Sequence, residues 1–225
     1  MELDVRSLQA PNGWVERDLR PRFPDLAERA LEAYEIGTRC EDTGSISVEE
    51  LARLEGFCAD RSSMLRDWAT QVVGALGRII PAAAELLQKL AGHGRAEVGI
   101  SAVGALHFSD NLELFASVVS SGLRHKSHKV RILAACKIQT FGMRNLVGQL
   151  QDAIGRETNA EARGSLESSL RLLLDGYLVK QLENGEVYVT VSVGKAFRSQ
   201  LFSPEEFRQL GIEAIQESLR LGANV

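Results

Sequence analysis

Three stretches decide the fold: AEVGISAVGAL (residues 96–106), HKVRILAACKI (128–138) and AEARGSLESSL (160–170). Each follows the one before by a shift of 32 residues, which sets Val98 on Val130 on Ala162, and Leu106 on Ile138 on Leu170. A second pattern between them obeys the same shift, with Leu54, Leu86, Val118 and Leu150 in one column and Leu51, Ala83, Phe115 and Val147 in another. Apolar residues at these spacings line one face of a 3.6-residue helix, so each unit reads as two short amphipathic helices, of about 12 and about 14 residues. Helices this short are marginal alone in water, and their stripes must be buried against the next unit.

The period covers four expected units, 47–77, 80–107, 110–141 and 144–175. Helix-breaking and capping residues fall at the joints: Pro81 in a first turn, Gly92 and Gly94 between helices, and Asp110, Asn111 and Asn159 at helix starts. In the second helices an apolar residue precedes Arg, at Leu65-Arg66, Val130-Arg131 and Ala162-Arg163, with Gly99 interrupting the column. This resembles the Val-Arg signature of HEAT repeats, particularly their short variety, over about residues 47–175. The Asp usual in that family's preceding turn is matched at Asp60 alone. The W-x-x-L-G-x-x-Y and T-P-L-H patterns of tetratricopeptide and ankyrin repeats are absent. The resemblance implies a mainly α chain, an α-solenoid of about four helical hairpins whose second helices line a concave surface that holds another protein.

The basic stretch RHKSHKVR, residues 124–131, falls at the turn entering the second helix of the third unit. Its counterparts HGRAEVGI and ETNAEARG are not basic clusters, which favours a solvated turn whose cations complement the end of the preceding helix. His125 and His128 have a spacing that two metal ligands on a helix could share, but no third ligand stands nearby, and neither metal nor cofactor is expected.

Composition narrows the class. The 225 residues are enough for a full core without disulfide or metal staples, and a net charge of -4 with both signs interspersed describes an ordinary soluble surface. Cys40, Cys58 and Cys136 form no C-x-x-C pair, so a reducing cytoplasm is the simplest home. MELDVRSLQA is no export signal, and the most apolar run, VVGALGRIIPAAAELL, is broken by Arg78 and Pro81, so no membrane span is expected.

The two ends read differently from the middle. Residues 1–23 show little periodicity and are expected either to wrap loosely or to pack through Val5, Leu8 and Trp14; residues 25–37 read as an amphipathic helix covering the first unit. Ser47 with Glu50 three residues on forms a capping box. In YLVKQLENGEVYVTVSV, Asn184-Gly185 predicts a type I′ hairpin, with Leu182 opposite Val187 and Leu178 opposite Val191 on an apolar face, and Tyr177, Val179, Tyr188 and Thr190 on the other. A hairpin is not stable alone. A helix capped by Ser203, with Pro204 at its first position, should cover it through Phe207, Leu210, Ala214 and Ile215, and residues 195–202 offer a third strand. The expected domains are thus 1–46, 47–175 and 176–225. An uncovered hairpin edge could accept a partner strand, a mode that Val189→Pro should test.

No catalytic constellation assembles. VSVGKAF lacks the phosphate-cradling G-x-x-x-x-G-K-[ST] loop, GISAVG places Ser101 inside a helix as a small packing residue, and Asp67, Glu85 and Glu97 read as solvated carboxylates. The expected function is therefore a non-enzymatic, cytoplasmic protein-binding module, an adaptor or an inhibitor or immunity protein. Its partner-binding residues would be Arg66, Trp68, His125, Lys126, Lys129, Arg131 and Arg163, facing an acidic partner surface. The alternative is a nucleic-acid binder related to the HEAT-like alkylpurine DNA glycosylases, in which Trp14, Trp68, Asp67, Arg66, Arg131 and Arg163 would hold a duplex; the acidic balance of the chain weighs against it. Phycobilin lyase-type proteins are similar to this chain in repeat period only.

Overall fold

The computed structural model describes residues 15–108, 111–194 and 196–222. Val5, Leu8, Trp14 and Asp110, given packing or capping roles above, lie outside the described residues. A five-residue π-helical turn, Val15–Leu19, precedes α1 (Pro24–Thr43), which runs past the expected 25–37 at both ends. Four helix pairs follow: α2 (Val48–Cys58) with α3 (Ser63–Leu76), α4 (Pro81–Ala91) with α5 (Ala96–Gly104), α6 (Leu112–Leu123) with α7 (His128–Thr140), and α8 (Val147–Arg156) with α9 (Ala160–Asp175). The chain is mainly α, with three strands near its C-terminal end, β1 (Tyr177–Gln181), β2 (Val187–Val193) and β3 (Ala196–Phe202), and a last helix α10 (Pro204–Leu221). By its packing the chain divides into two compact units, one ending at Ala134 and one beginning at Ala135, so the division falls within α7.

The local signals act where they were read. Ser47 accepts from the Glu50 N–H while the Glu50 carboxylate takes the Ser47 N–H, closing the capping box. Asn111 and Asn159 cap α6 and α9, and Pro81 opens α4 without losing a helical hydrogen bond. Two of the repeat columns are core throughout. Leu54, Leu86, Val118 and Leu150 are buried, as are Val98, Val130 and Ala162, because equal positions in successive units face equal neighbours. In the first unit α3 packs on α1, α2, α4 and α5, and α4 on α6, so each helix of a pair is covered by the next pair as well as by its own partner.

The sheet corrects the expected hairpin. The order is β1-β2-β3, all antiparallel, and Tyr177 pairs with Val191, Val179 with Val189, and Gln181 with Val187. This register lies one residue from the expected one, and a one-residue slip moves every side chain to the opposite face. Val187, Val189 and Val191 therefore share the buried face with Tyr177 and Val179, contrary to the alternation expected from the sequence. The turn explains the slip. A type I′ turn needs positive φ at both central residues, yet Gly185 has φ 87 and, among the described residues, only glycines have positive φ. Leu182 instead closes the turn by donating its N–H to the Glu186 carbonyl at 2.8 Å, leaving a three-residue loop with glycine in the left-handed position.

α10 covers the buried face through Ile215 and Leu219, with Phe207 and Ile212 beside them, whereas Leu210 and Ala214 are exposed, against expectation. Gly211 is the cause: its φ of 72 and ψ of 158 break the helical phase, so the apolar stripe restarts after it. Arg198 of β3 donates to the Leu219 and Arg220 carbonyls, 2.9 and 3.0 Å away, and its cation meets the negative end of α10. Among the described residues no helix is long and apolar enough to cross a membrane.

Candidate functional site

The turn between the helices of each pair is built on one recurring hydrogen-bond pattern. Asp60 Oδ1, His93 Nδ1, His125 Nδ1 and Glu157 Oε1 each accept the backbone N–H two residues on, from Ser62, Arg95, Ser127 and Asn159, at 2.7 to 3.1 Å. Any side chain with an acceptor at the right reach can play this part, so a position that carries aspartate once carries histidine twice and glutamate once. That chemical equivalence hid the pattern in the sequence, where only Asp60 matched.

Six residues further on stands the arginine column, and its guanidinium groups turn back to the same loop. Arg66 donates to the Asp60 carbonyl at 3.2 Å, Arg131 to the His125 carbonyl at 2.6 Å, and Arg163 to the Glu157 carbonyl. Each arginine thus ties a turn to the helix that follows it. Gly99 has no room for one: a Cβ there would stand 3.2 Å from both the Ala91 carbonyl oxygen and the Val130 methyl, and 3.4 Å from the His125 ring. Restoring the column by Gly99→Arg is expected to destabilise the protein by about 1–3 kcal/mol through overpacking, measured as a lower midpoint in urea unfolding. An unchanged midpoint would show that the loop and helix yield freely.

Successive turns are also joined to one another. His125 accepts on Nδ1, which places its proton on Nε2, and that N–H donates to the His93 carbonyl at 2.7 Å. Arg95 reaches the Ala59 carbonyl at 2.7 Å, and Arg29 pairs with the Asp60 carboxylate at 2.5 Å. Burial works against the charge of Asp60, but the Ser62 N–H, Arg29 and Arg66 outweigh it and hold the carboxyl below its ordinary value.

These bonds place the residues expected to face a partner. Arg66 and His125 are buried, with 7% and 4% exposure. Trp68 is also buried, donating its indole N–H to the Ala30 carbonyl at 3.1 Å and stacking on Tyr34 at 6.4 Å between ring centroids. All three are held inside the first unit by their own partners. Arg163 is exposed and Arg131 half-buried, both bonded to carbonyls, and Lys126 and Lys129 are exposed. The structure therefore does not gather these seven residues into one surface.

What the second helices present instead is a depression of about 230 Å³ in the first unit, lined by Asp67, Gln71, Ile100, Ser101, Gly104 and Leu133. Asp67 and Ile100 hold the same place in successive repeats, one after the arginine column, and Gln71 and Gly104 follow four residues later on the same helix face. The groove is thus one repeated surface position from two consecutive second helices, closed on the third by Leu133, two residues after Arg131. Its polar wall is ordered: the Ser101 hydroxyl bonds the Asp67 carboxylate and receives the Arg66 Nε–H at 3.2 Å. Ser101, read as a packing residue, is also the link between Arg66 and Asp67. Stepping one residue past Arg66 and past Gly99 finds Asp67 and Ile100, but no spacing in the sequence says that a groove lies there.

Two thiols are withdrawn from chemistry. Burial pushes Cys40 up to about 11 and Cys58 up to about 12, so both stay protonated at neutral pH. Fold and site together define a mainly helical protein of repeated helix pairs with an antiparallel three-stranded sheet, and an open groove on its second helices. No family model, curated protein or solved structure matches the chain.

Proposed function

We propose that the chain is a HEAT-like repeat protein that binds another protein, as an adaptor or as an inhibitor of the immunity-protein kind, through the second-helix groove of its first unit. The observation that carries this reading is the groove itself: Ile100 and Leu133 supply apolar contact, Gln71 supplies an amide, and Asp67 supplies a carboxylate already oriented by the Ser101 hydroxyl. Preorganised mixed surfaces of this kind suit a protein partner, because few side chains must be immobilised on binding. Buried Arg66 and Trp68 serve this surface from beneath, by fixing the helix that displays Asp67 and Gln71. Exposed Lys126 and Lys129 complement an acidic patch on the partner. Free Cys40, Cys58 and Cys136 suit a reducing compartment such as the cytoplasm.

Gly104 offers a clean test. A Cβ at this position meets nothing within 4 Å, and its helical backbone tolerates any L residue, so Gly104→Trp fills the groove without disturbing the core. Tagged wild-type and Gly104→Trp chains are compared in pull-downs from the native lysate, with retained species identified by mass spectrometry. One protein retained near stoichiometry by the wild type and weakened about tenfold or more by the variant is expected, since interface centres carry most of the binding energy. Equal retention by two equally folded chains would move the binding surface elsewhere.

A further inference from the structure

A second cavity in the first unit, of about 350 Å³, opens between the α4–α5 and α6–α7 turns, and it is unrelated to the groove. The two turns contribute the same three positions of successive repeats: Gly92, His93 and Gly94 from one, Arg124, His125 and Lys126 from the next. Where the earlier turn carries glycines, the later one carries cations. A Cβ at Gly94 would meet nothing within 4 Å, and one at Gly92 only the Lys89 carbonyl at 3.7 Å, so the missing side chains leave open the space beside Arg124 and Lys126.

The charge in this space is unbalanced. Most arginines of the unit are committed: Arg20, Arg29, Arg39, Arg53 and Arg95 pair with carboxylates, and Arg66 and Arg131 bond carbonyls. Among the described residues, the Arg124 guanidinium and the Lys126 ammonium have neither an ion-pair nor a hydrogen-bond partner, and no carboxylate lines the cavity. Ser121 adds a hydroxyl. His93 accepts the Arg95 N–H on Nδ1, which leaves its proton on Nε2 as a further donor in the wall. α5 begins beside it with no side-chain cap, so the positive end of that helix adds to the field. Two cations, a hydroxyl and an imidazole N–H around an open space are a donor set for a compact oxyanion, and the planar guanidinium fork matches phosphate in particular.

The geometry points to a phosphate-binding site in this cavity, taking a phosphate monoester or free phosphate between Arg124, Lys126, Ser121 and His93. A nucleic-acid backbone is disfavoured, since it requires cations in a track and the chain carries 30 acidic against 26 basic residues.

The test titrates the full chain, labelled with nitrogen-15, with sodium phosphate, O-phosphoserine or serine at about pH 7.5, where the phosphate group is mainly dianionic. Ionic strength is held constant with sodium chloride. Saturable shifts confined to the amides of 92–96 and 121–128, with phosphate or phosphoserine but not serine, are expected. Saturation by both ligands would identify free phosphate as sufficient, and saturation by phosphoserine alone would identify a phosphorylated side chain or small ester as the source. The pair Arg124→Ala with Lys126→Ala should weaken binding about tenfold or more, as loss of charge-assisted hydrogen bonds requires. Gly94→Glu, which leaves both cations in place but puts a carboxylate between them, should do the same, and Lys180→Ala on β1 should not. Shifts that do not saturate, spread over the surface, or survive in both cavity variants would overturn the site. So would a DNA duplex binding more tightly than phosphoserine with a steep salt dependence.

Discussion

Val189→Pro is expected to unfold the sheet and α10 instead of blocking an edge. β2 is the central strand, and Val189 pairs with Val179 on one side and Gln200 on the other. Its side chain is fully buried between its strand neighbours and α10. Proline removes a ladder N–H, leaves a buried carbonyl short of its donor, and cannot fill the valine's volume; together these cost on the order of 3–5 kcal/mol. That is a large share of the stability of any small domain. Limited proteolysis should then cut within residues 177–222, and the methyl resonances of Val187 and Val191 should lose their native dispersion. A variant with native proteolysis and native methyl shifts would sink the three-stranded register. Strand addition by a partner belongs to β1 or β3, the two edges of the sheet.

Lys137 gives the second large effect, and its sign is set by burial. The side chain is 5% exposed, with its ammonium 6.0 Å from the Phe141 ring centroid. Burial lowers its pKa from 10.5 to about 8, against a small opposing influence of Cys136. Such a depression corresponds to about 3 kcal/mol. Below about pH 8 both folded and unfolded chains hold the proton, and the penalty for a buried cation is fully present. Between about 8 and 10.5 the unfolded chain binds more protons, so stability rises with pH; above 10.5 both states are neutral and the penalty is gone. Lys137→Met keeps the apolar stem, loses the cation–π contact worth about 0.5–2 kcal/mol, and removes the titration. Urea unfolding of both chains at about pH 7.5 and about pH 10 is the measurement. The advantage of Met over Lys should shrink across the window, and a difference independent of pH would refute the burial account of Lys137.

How far the sequence carries can be followed residue by residue. Leu54, Leu86, Val118 and Leu150 repeat at 32 and are all buried, because a helix-pair repeat must bury the same stripe each time. Caps were equally legible: Ser47, Asn111, Asn159 and Ser203 act on amides within a few residues, so their partners are set by chain distance alone. The groove was half-legible. Its positions repeat, but whether neighbouring helices leave a gap over Gly104 depends on their separation, which no spacing encodes.

By itself the sequence determined the helix pairs, their caps and period, and the change to strands near Tyr177, since these follow from local sterics and from which residues avoid water. Tertiary structure decided the rest. Only packing turns Arg66 inward to the Ser101 hydroxyl, and Trp68 and His125 to the Ala30 and His93 carbonyls, all far along the chain, because a buried polar group takes whichever partner the fold brings within reach. Only the backbone angles of Gly185 and Gly211 set the strand register and the phase of α10, where one residue of slip exchanges a buried face for an exposed one.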